Sequence, residues 1–229
     1  MLAGMTVGGR SGLIGAGFVG AELARQGLVG PELVGLVVAI SFAAGLNVYA
    51  TVATLGLLAH TSWVVLPPGL HLLTSWWVIG ASLALFGIEF FADKIPVFDL
   101  FWNALHTFVR IPVAALMAYG ATSQLSPEKQ LVATVVGGLI ALAAHGGKTA
   151  ARAAVTPSPE PVSNFTLSAG EDVLAVFVTW LATHHPIAAA VIAGVFLVAI
   201  GLAVRWVWRA MTRALRSLGS GQTQGPEKS

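Results

Sequence analysis

The sequence predicts an all-α, polytopic membrane protein with about six transmembrane helices. Three observations lead there. Only 10% of the 229 residues are charged and 56% are hydrophobic, whereas a soluble domain carries about 25% charged residues. The mean hydropathy of +0.81 is concentrated in apolar runs of about 20 residues, the length that crosses a bilayer core as helix. The basic residues also fall on one side of the resulting topology, as the positive-inside rule requires. The chain has no cysteine, which excludes disulfides, thiolate metal sites and cysteine nucleophiles. Residues 1–30 read as a flexible or amphipathic N-terminal segment. Residues 31–210 form the transmembrane domain, and 211–229 a basic, then disordered, cytoplasmic tail.

The N-terminal segment contains Gly15-Ala16-Gly17-Phe18-Val19-Gly20, formally G-x-G-x-x-G. A dinucleotide site needs a strand before that turn and an acid about 20 residues later. Pro31 and a membrane span follow instead, so no nucleotide site is expected. Glu22 and Arg25 lie near one face at i, i+3.

The first span is expected from about Leu33 to Ala59. Thr51 and Thr54 can bond back within their own helix. Asn47 cannot do so as easily and calls for a partner on another helix. An uncharged loop follows, with Trp63, Trp76 and Trp77 placed for an aromatic belt. The second span runs from about Leu73 to Phe91 and ends in Glu89, Asp93 and Lys94 before Pro96. Glu89 and Asp93 are i, i+4 and share a face.

The third span, about Val97 to Tyr119, carries the most specific pattern. Asp99, Asn103, His106 and Arg110 fall at offsets 0, 4, 7 and 11 on one helical face. The stripe climbs about 16 Å at helical rise. Phe101, Leu105, Phe108 and Ile111 occupy the opposite face, and Pro112 is expected to bend the helix. The fourth span starts near Leu131. Its His145, Lys148 or Thr149, and Arg152 share a face, and its Gly137-Gly138 and Gly146-Gly147 pairs allow close packing or a break.

Thr156 to Asn164, with three prolines and Glu160, reads as an extended link. The fifth span, about Leu167 to Ala182, holds Glu171 and Asp172 in its first turns, where the helix dipole favours acids. His184-His185-Pro186 is the turn into the sixth span, about Ile187 to Trp206. Beyond it Arg205, Arg209, Arg213 and Arg216, with Trp206 and Trp208, form a basic face suited to anionic headgroups rather than nucleic acid.

Six spans place both termini on one side. With that side cytoplasmic, all of the 12 lysines and arginines lie inside except Lys129, outside, and Arg110, within a span. The expected location is a bacterial inner membrane. Leu33-Val34-Gly35-Leu36-Val37-Val38 resembles Leu131-Val132-Ala133-Thr134-Val135-Val136, and the prolines fall at corresponding turns. Three spans per half would make the repeats inverted, an architecture of many secondary transporters.

The set Gly45-Leu46-Asn47, Glu89 to Asp93-Lys94-Ile95-Pro96 and Asp99, His106 with Arg110, His145 with Lys148, Ser158-Pro159-Glu160-Pro161 to Ser163-Asn164, and Glu171-Asp172 resembles an uncharacterised bacterial family of small integral membrane proteins, domain of unknown function 4126. The resemblance covers about residues 31–185. It implies a membrane protein and no particular activity.

Ionisable groups at bilayer depth are costly and persist where they pair or line a pathway. The expected pathway comprises Asn47, Glu89, Asp93, Lys94, Asp99, His106, Arg110, His145, Lys148, Arg152, Glu160, Asn164, Glu171 and Asp172. The expected function is a permease or secondary transporter for a small anion or a lipid phosphate, with Arg110, Lys148 and Arg152 as anion holders and His106, His145, Glu89 and Asp93 as proton carriers. No cofactor and no bound metal are expected; the partners are membrane lipids, the substrate and a second copy of the chain. One alternative is a scaffold subunit that packs through the small residues Ala188 to Gly194. Another is an enzyme using a divalent ion held by Glu89, Asp93, Asp99, Glu171 and Asp172. A plainer structural account has the charges merely neutralising one another at helix ends.

Overall fold

The computed structural model describes the backbone of residues 30–92, 96–155 and 161–220, and the side chains of these except 96–104, 152–155, 161–164, 211 and 214–220. The described residues are helical, in the order α1 (Pro31–Leu46), α2 (Val48–His60), a 3-10 helix (Pro68–Thr74), α3 (Trp76–Ala92), α4 (Pro96–Ala121), α5 (Pro127–Val155), α6 (Pro161–His184) and α7 (Pro186–Ser220). Three stretches are each long and apolar enough to cross a membrane: Pro127–Ala151, Phe165–His184 and Pro186–Ala210. The 3-10 helix and α3, bent by 67°, make a fourth when taken as one. Pro31–Leu46, Val48–His60 and Leu105–Ala121 are shorter apolar helices. Large apolar side chains stand exposed on the outer faces, among them Phe108, Val132, Leu139, Val191 and Val198. Apolar patches of that extent suit lipid, not water.

Helix α1 is the hub, packing on α4, α5, α6 and α7. It is apolar on every side, the pattern of a helix surrounded by others, and Leu36, Ala39, Ile40, Phe42 and Ala43 are essentially inaccessible. Its start is set by Pro31 at the first turn, where a missing N–H is harmless. Gly45 allows α5 to approach: a Cβ there would lie 2.6 Å from the Ala141 carbonyl oxygen and 2.8 Å from its Cα. Gly137 does the same on α5, facing Ala118 and Ser41.

The expected single span from Leu33 to Ala59 is broken in two. Asn47, in extended conformation, ends α1 and starts α2. Its N–H donates to the Ala43 carbonyl at 2.9 Å, and its Oδ1 accepts from the Ala50 N–H at 2.9 Å. The latter is the cap that asparagine favours at a helix start. The break therefore comes from capping chemistry inside an apolar run, where hydropathy alone reads continuity. By contrast α5, expected to pack closely or break at its glycine pairs, runs unbroken from Pro127 to Val155.

Two further boundaries differ from expectation. Pro161 opens α6 rather than extending the link, so Ser163 and Asn164 are helical. Proline is well suited to a first turn. Glu171 and Asp172 are consequently well inside the helix, buried, and owe nothing to the N-terminal dipole. Helix α7 also continues to Ser220, past the expected end at Trp206. Pro112 lies inside an uninterrupted α4.

Residues 1–29, with the glycine motif, Glu22 and Arg25, lie outside the described residues, as do Asp93, Lys94, Glu160 and 221–229. So do the side chains of Asp99, Asn103, Arg152, Asn164 and Arg216.

Candidate functional site

The buried charged residues, Glu89, Arg110, Lys148, Glu171 and Asp172, gather in one region of the bundle. Arg110 on α4 is wholly inaccessible. Its Nη2 donates to Glu89 Oε1 on α3, forming an ion pair with both side chains at 0% exposure. Its Nη1 lies 2.9 Å from His145 Nδ1 on α5. Arginine only donates, so Nδ1 must offer its lone pair. His145 is then neutral with its proton on Nε2, which donates to Thr107 Oγ1 at 2.8 Å. The four-residue register from His106 to Arg110 brings both of those stripe residues inward, while Leu105 and Phe108 face out, 50% and 80% exposed. His106 is buried with its ring edge-on to Tyr49, centroids 5.6 Å apart.

Lys148, one turn beyond His145 on α5, points to the break in the α1–α2 run. Its Nζ donates to the Leu46 carbonyl at 3.1 Å, satisfying one of the orphan acceptors at the end of α1. The same ammonium is 3.3 Å from Glu171 Oε2 on α6 and 3.7 Å from Glu89 Oε1. Asn47 closes the arrangement by donating from Nδ2 to Asp172 Oδ1 on α6 at 2.8 Å. This is the interhelical partner its sequence position called for. Four helices thus share a polar chain, Thr107, His145, Arg110, Glu89, Lys148 and Glu171, and the break joins α6 through Asn47 and Asp172.

Two features of the electrostatics follow. The buried described side chains include three carboxylates, Glu89, Glu171 and Asp172, and two cations, Arg110 and Lys148, while His145 accepts from Arg110. In addition, Glu89 Oε2 is buried and meets no hydrogen-bond donor among the described residues. A buried acceptor left so costs about 1–3 kcal/mol.

Of the predicted pathway residues, Asn47, Glu89, His106, Arg110, His145, Lys148, Glu171 and Asp172 are all buried. The remaining six lie outside the described side chains. Sequence reading missed Thr107, which orients His145, and Tyr49, which covers His106. Thr107 sits beside the stripe, three residues before Arg110 at helical spacing, a signal that could have found it. Tyr49 gave none beyond its place next to Asn47. No three His, Asp or Glu side chains gather at metal-binding spacing among the described residues. The small-residue face offered to a partner is partly consumed internally, since Ala189 and Ala193 are buried where α7 packs on α1. His184 and His185 are exposed, and His184 Nδ1 is held by the Trp180 carbonyl oxygen at 2.9 Å.

Asn47 sets the strength of this junction. Asn47→Ala removes both the α2 cap and the Asp172 contact, and is expected to destabilise the protein by about 2–3 kcal/mol. Asn47→Asp should retain the cap yet be equally destabilising, because it sets a second carboxylate against Asp172. Thermal unfolding in detergent measures both; an Asn47→Asp protein as stable as the native one would show that Asp172 is not faced by residue 47.

A family model described as "Domain of unknown function (DUF4126)" matches residues 34–207. No curated protein and no solved structure matches the chain. The match extends beyond the range of the sequence resemblance, into α7, and the chain belongs to this family.

Proposed function

We propose that this DUF4126 protein is a small proton-coupled permease for an anionic group, carried by a small anion or a lipid phosphate. In this reading Glu89 occupies the place of the substrate's anion between Arg110 and Lys148. The observation that carries it is the inaccessible Arg110 guanidinium, divided between the Glu89 carboxylate and a neutral His145. A structural ion pair needs no neutral imidazole as a second acceptor, and gains nothing from the undonated Glu89 Oε2.

The cycle has few parts. A proton reaches Glu89 at Oε2, and the neutral carboxyl releases Arg110. The substrate anion takes the vacated position against Arg110 and Lys148. Proton and anion leave together on the other side, and Glu89 returns to Arg110. Proton and anion together add no net charge to the buried cluster, so the cycle strands no additional charge at depth. His145 is a second acceptor within the same contact: protonation at Nδ1 would replace attraction to Arg110 by repulsion.

Purified protein in vesicles loaded with a pH-sensitive dye tests this. Imposed gradients of small phosphates and carboxylates, or of lipid phosphates added to one leaflet, should drive inward proton movement with at least one of them. Anion uptake that proceeds with no proton movement, or none with any anion, contradicts it.

A further inference from the structure

Between α3 and α6 lies a crevice of about 480 Å³, walled by Phe86, Phe90, Val173, Val176, Phe177 and Trp180, with Ala169 and, as its one ionisable residue among the described residues, Asp172. The two helices barely touch one another, and Phe91, Val173 and Phe177 stand exposed on their outer faces. The crevice therefore opens sideways, where the surrounding surface is apolar. Both of its walls carry the buried cluster on their inner sides: α3 supplies Glu89, beside Phe90, and α6 supplies Glu171 and Asp172.

We propose that this crevice holds the hydrocarbon tail of a lipid-borne phosphate and is the lateral entry through which the head reaches Arg110 and Lys148. The proposal rests on the permease reading above and selects the lipid source of the anion. Three observations support it. From Ala169 to Trp180 the crevice follows α6 for about 16 Å at helical rise. That is about half the thickness of a hydrocarbon core, the length of a tail in one leaflet. A water-soluble anion has no use for a passage lined by four aromatic side chains. And Asp172, the ionisable residue in the described lining, stands at the junction with the cluster, where Asn47 Nδ2 donates to Asp172 Oδ1. An ionised Asp172 repels a phosphate, whereas a protonated one donates to its oxygen.

The test uses the full chain in vesicles and a phosphatidic acid bearing a photoreactive group in its tail. Expected labelling is saturable, falls on the α3 and α6 segments lining the crevice, and is competed by unlabelled phosphatidic acid but not by inorganic phosphate. Val176→Trp, which fills the crevice from a partly exposed position, should reduce labelling and lipid-phosphate uptake to background. Ala169→Leu is a milder filling variant and should reduce both in part. Labelling spread equally over the outer faces of α5 and α7, or lipid-phosphate uptake unchanged in both variants, overturns the entry route. If uptake is then still lost in Arg110→Ala, the route fails and the permease reading survives. Uptake of inorganic phosphate that is unaffected by Val176→Trp, with no uptake of phosphatidic acid, also overturns the lipid assignment.

Discussion

Replacing Arg110 with alanine is expected to destabilise the protein by about 3–5 kcal/mol, the usual penalty for removing one partner of a buried ion pair. It should also abolish anion-driven proton movement in vesicles. The size follows from burial. Glu89 and Arg110 are both fully inaccessible, so neither water nor lipid headgroups can replace the lost guanidinium. His145 Nδ1 loses its donor at the same time. Glu89→Ala should be destabilising for the mirrored reason. The double variant Arg110→Ala/Glu89→Ala should recover most of the stability, because removing both partners leaves no stranded charge. Lys148 keeps Glu171 and the Leu46 carbonyl in that background. Transport should remain absent in the double variant. Recovery of stability without recovery of flux separates folding from function; recovery of both would make the pair purely structural.

Glu89→Gln is expected to have the largest effect on coupling. Glutamine holds the shape of a protonated Glu89 and cannot take up or release the proton. Arg110 is then permanently available to an anion. Exchange of labelled for unlabelled anion across the membrane should persist, while uptake driven by an imposed pH gradient should fall to background. Native uptake should rise as the external pH is lowered, and the variant should show no such rise. A Glu89→Gln protein that still concentrates its substrate against a gradient when acidified outside would place the coupling proton elsewhere.

Much of the architecture is legible in the residues, for identifiable reasons. Apolar runs mark the helices, although the helices open at Pro96, Pro127 and Pro186, where the sequence reads as a stop, a loop and a turn, because proline is tolerated in a first helical turn. The stripe on α4 is legible because helical periodicity places His106 and Arg110 together, and both are buried. The break at Asn47 was not, since a capping asparagine inside an apolar run looks the same as a polar residue seeking a partner; it is in fact both. The depth of Glu171 and Asp172 was misjudged because Pro161 reads equally as a linker residue and as a first helical turn. Which carboxylate meets which cation is a matter of tertiary placement. Glu89 lies 21 positions from Arg110, and Lys148 lies 102 from Leu46. Neither spacing carries a periodic signal.

Infrared difference spectroscopy on the protein in lipid bilayers, recorded on adding the transported anion, tests the placeholder role of Glu89 most directly. Anion binding should produce a protonated-carboxyl band with matching loss of carboxylate absorption, and both changes should be absent in Glu89→Gln. An anion that binds at Arg110 while every carboxylate stays ionised would contradict the account.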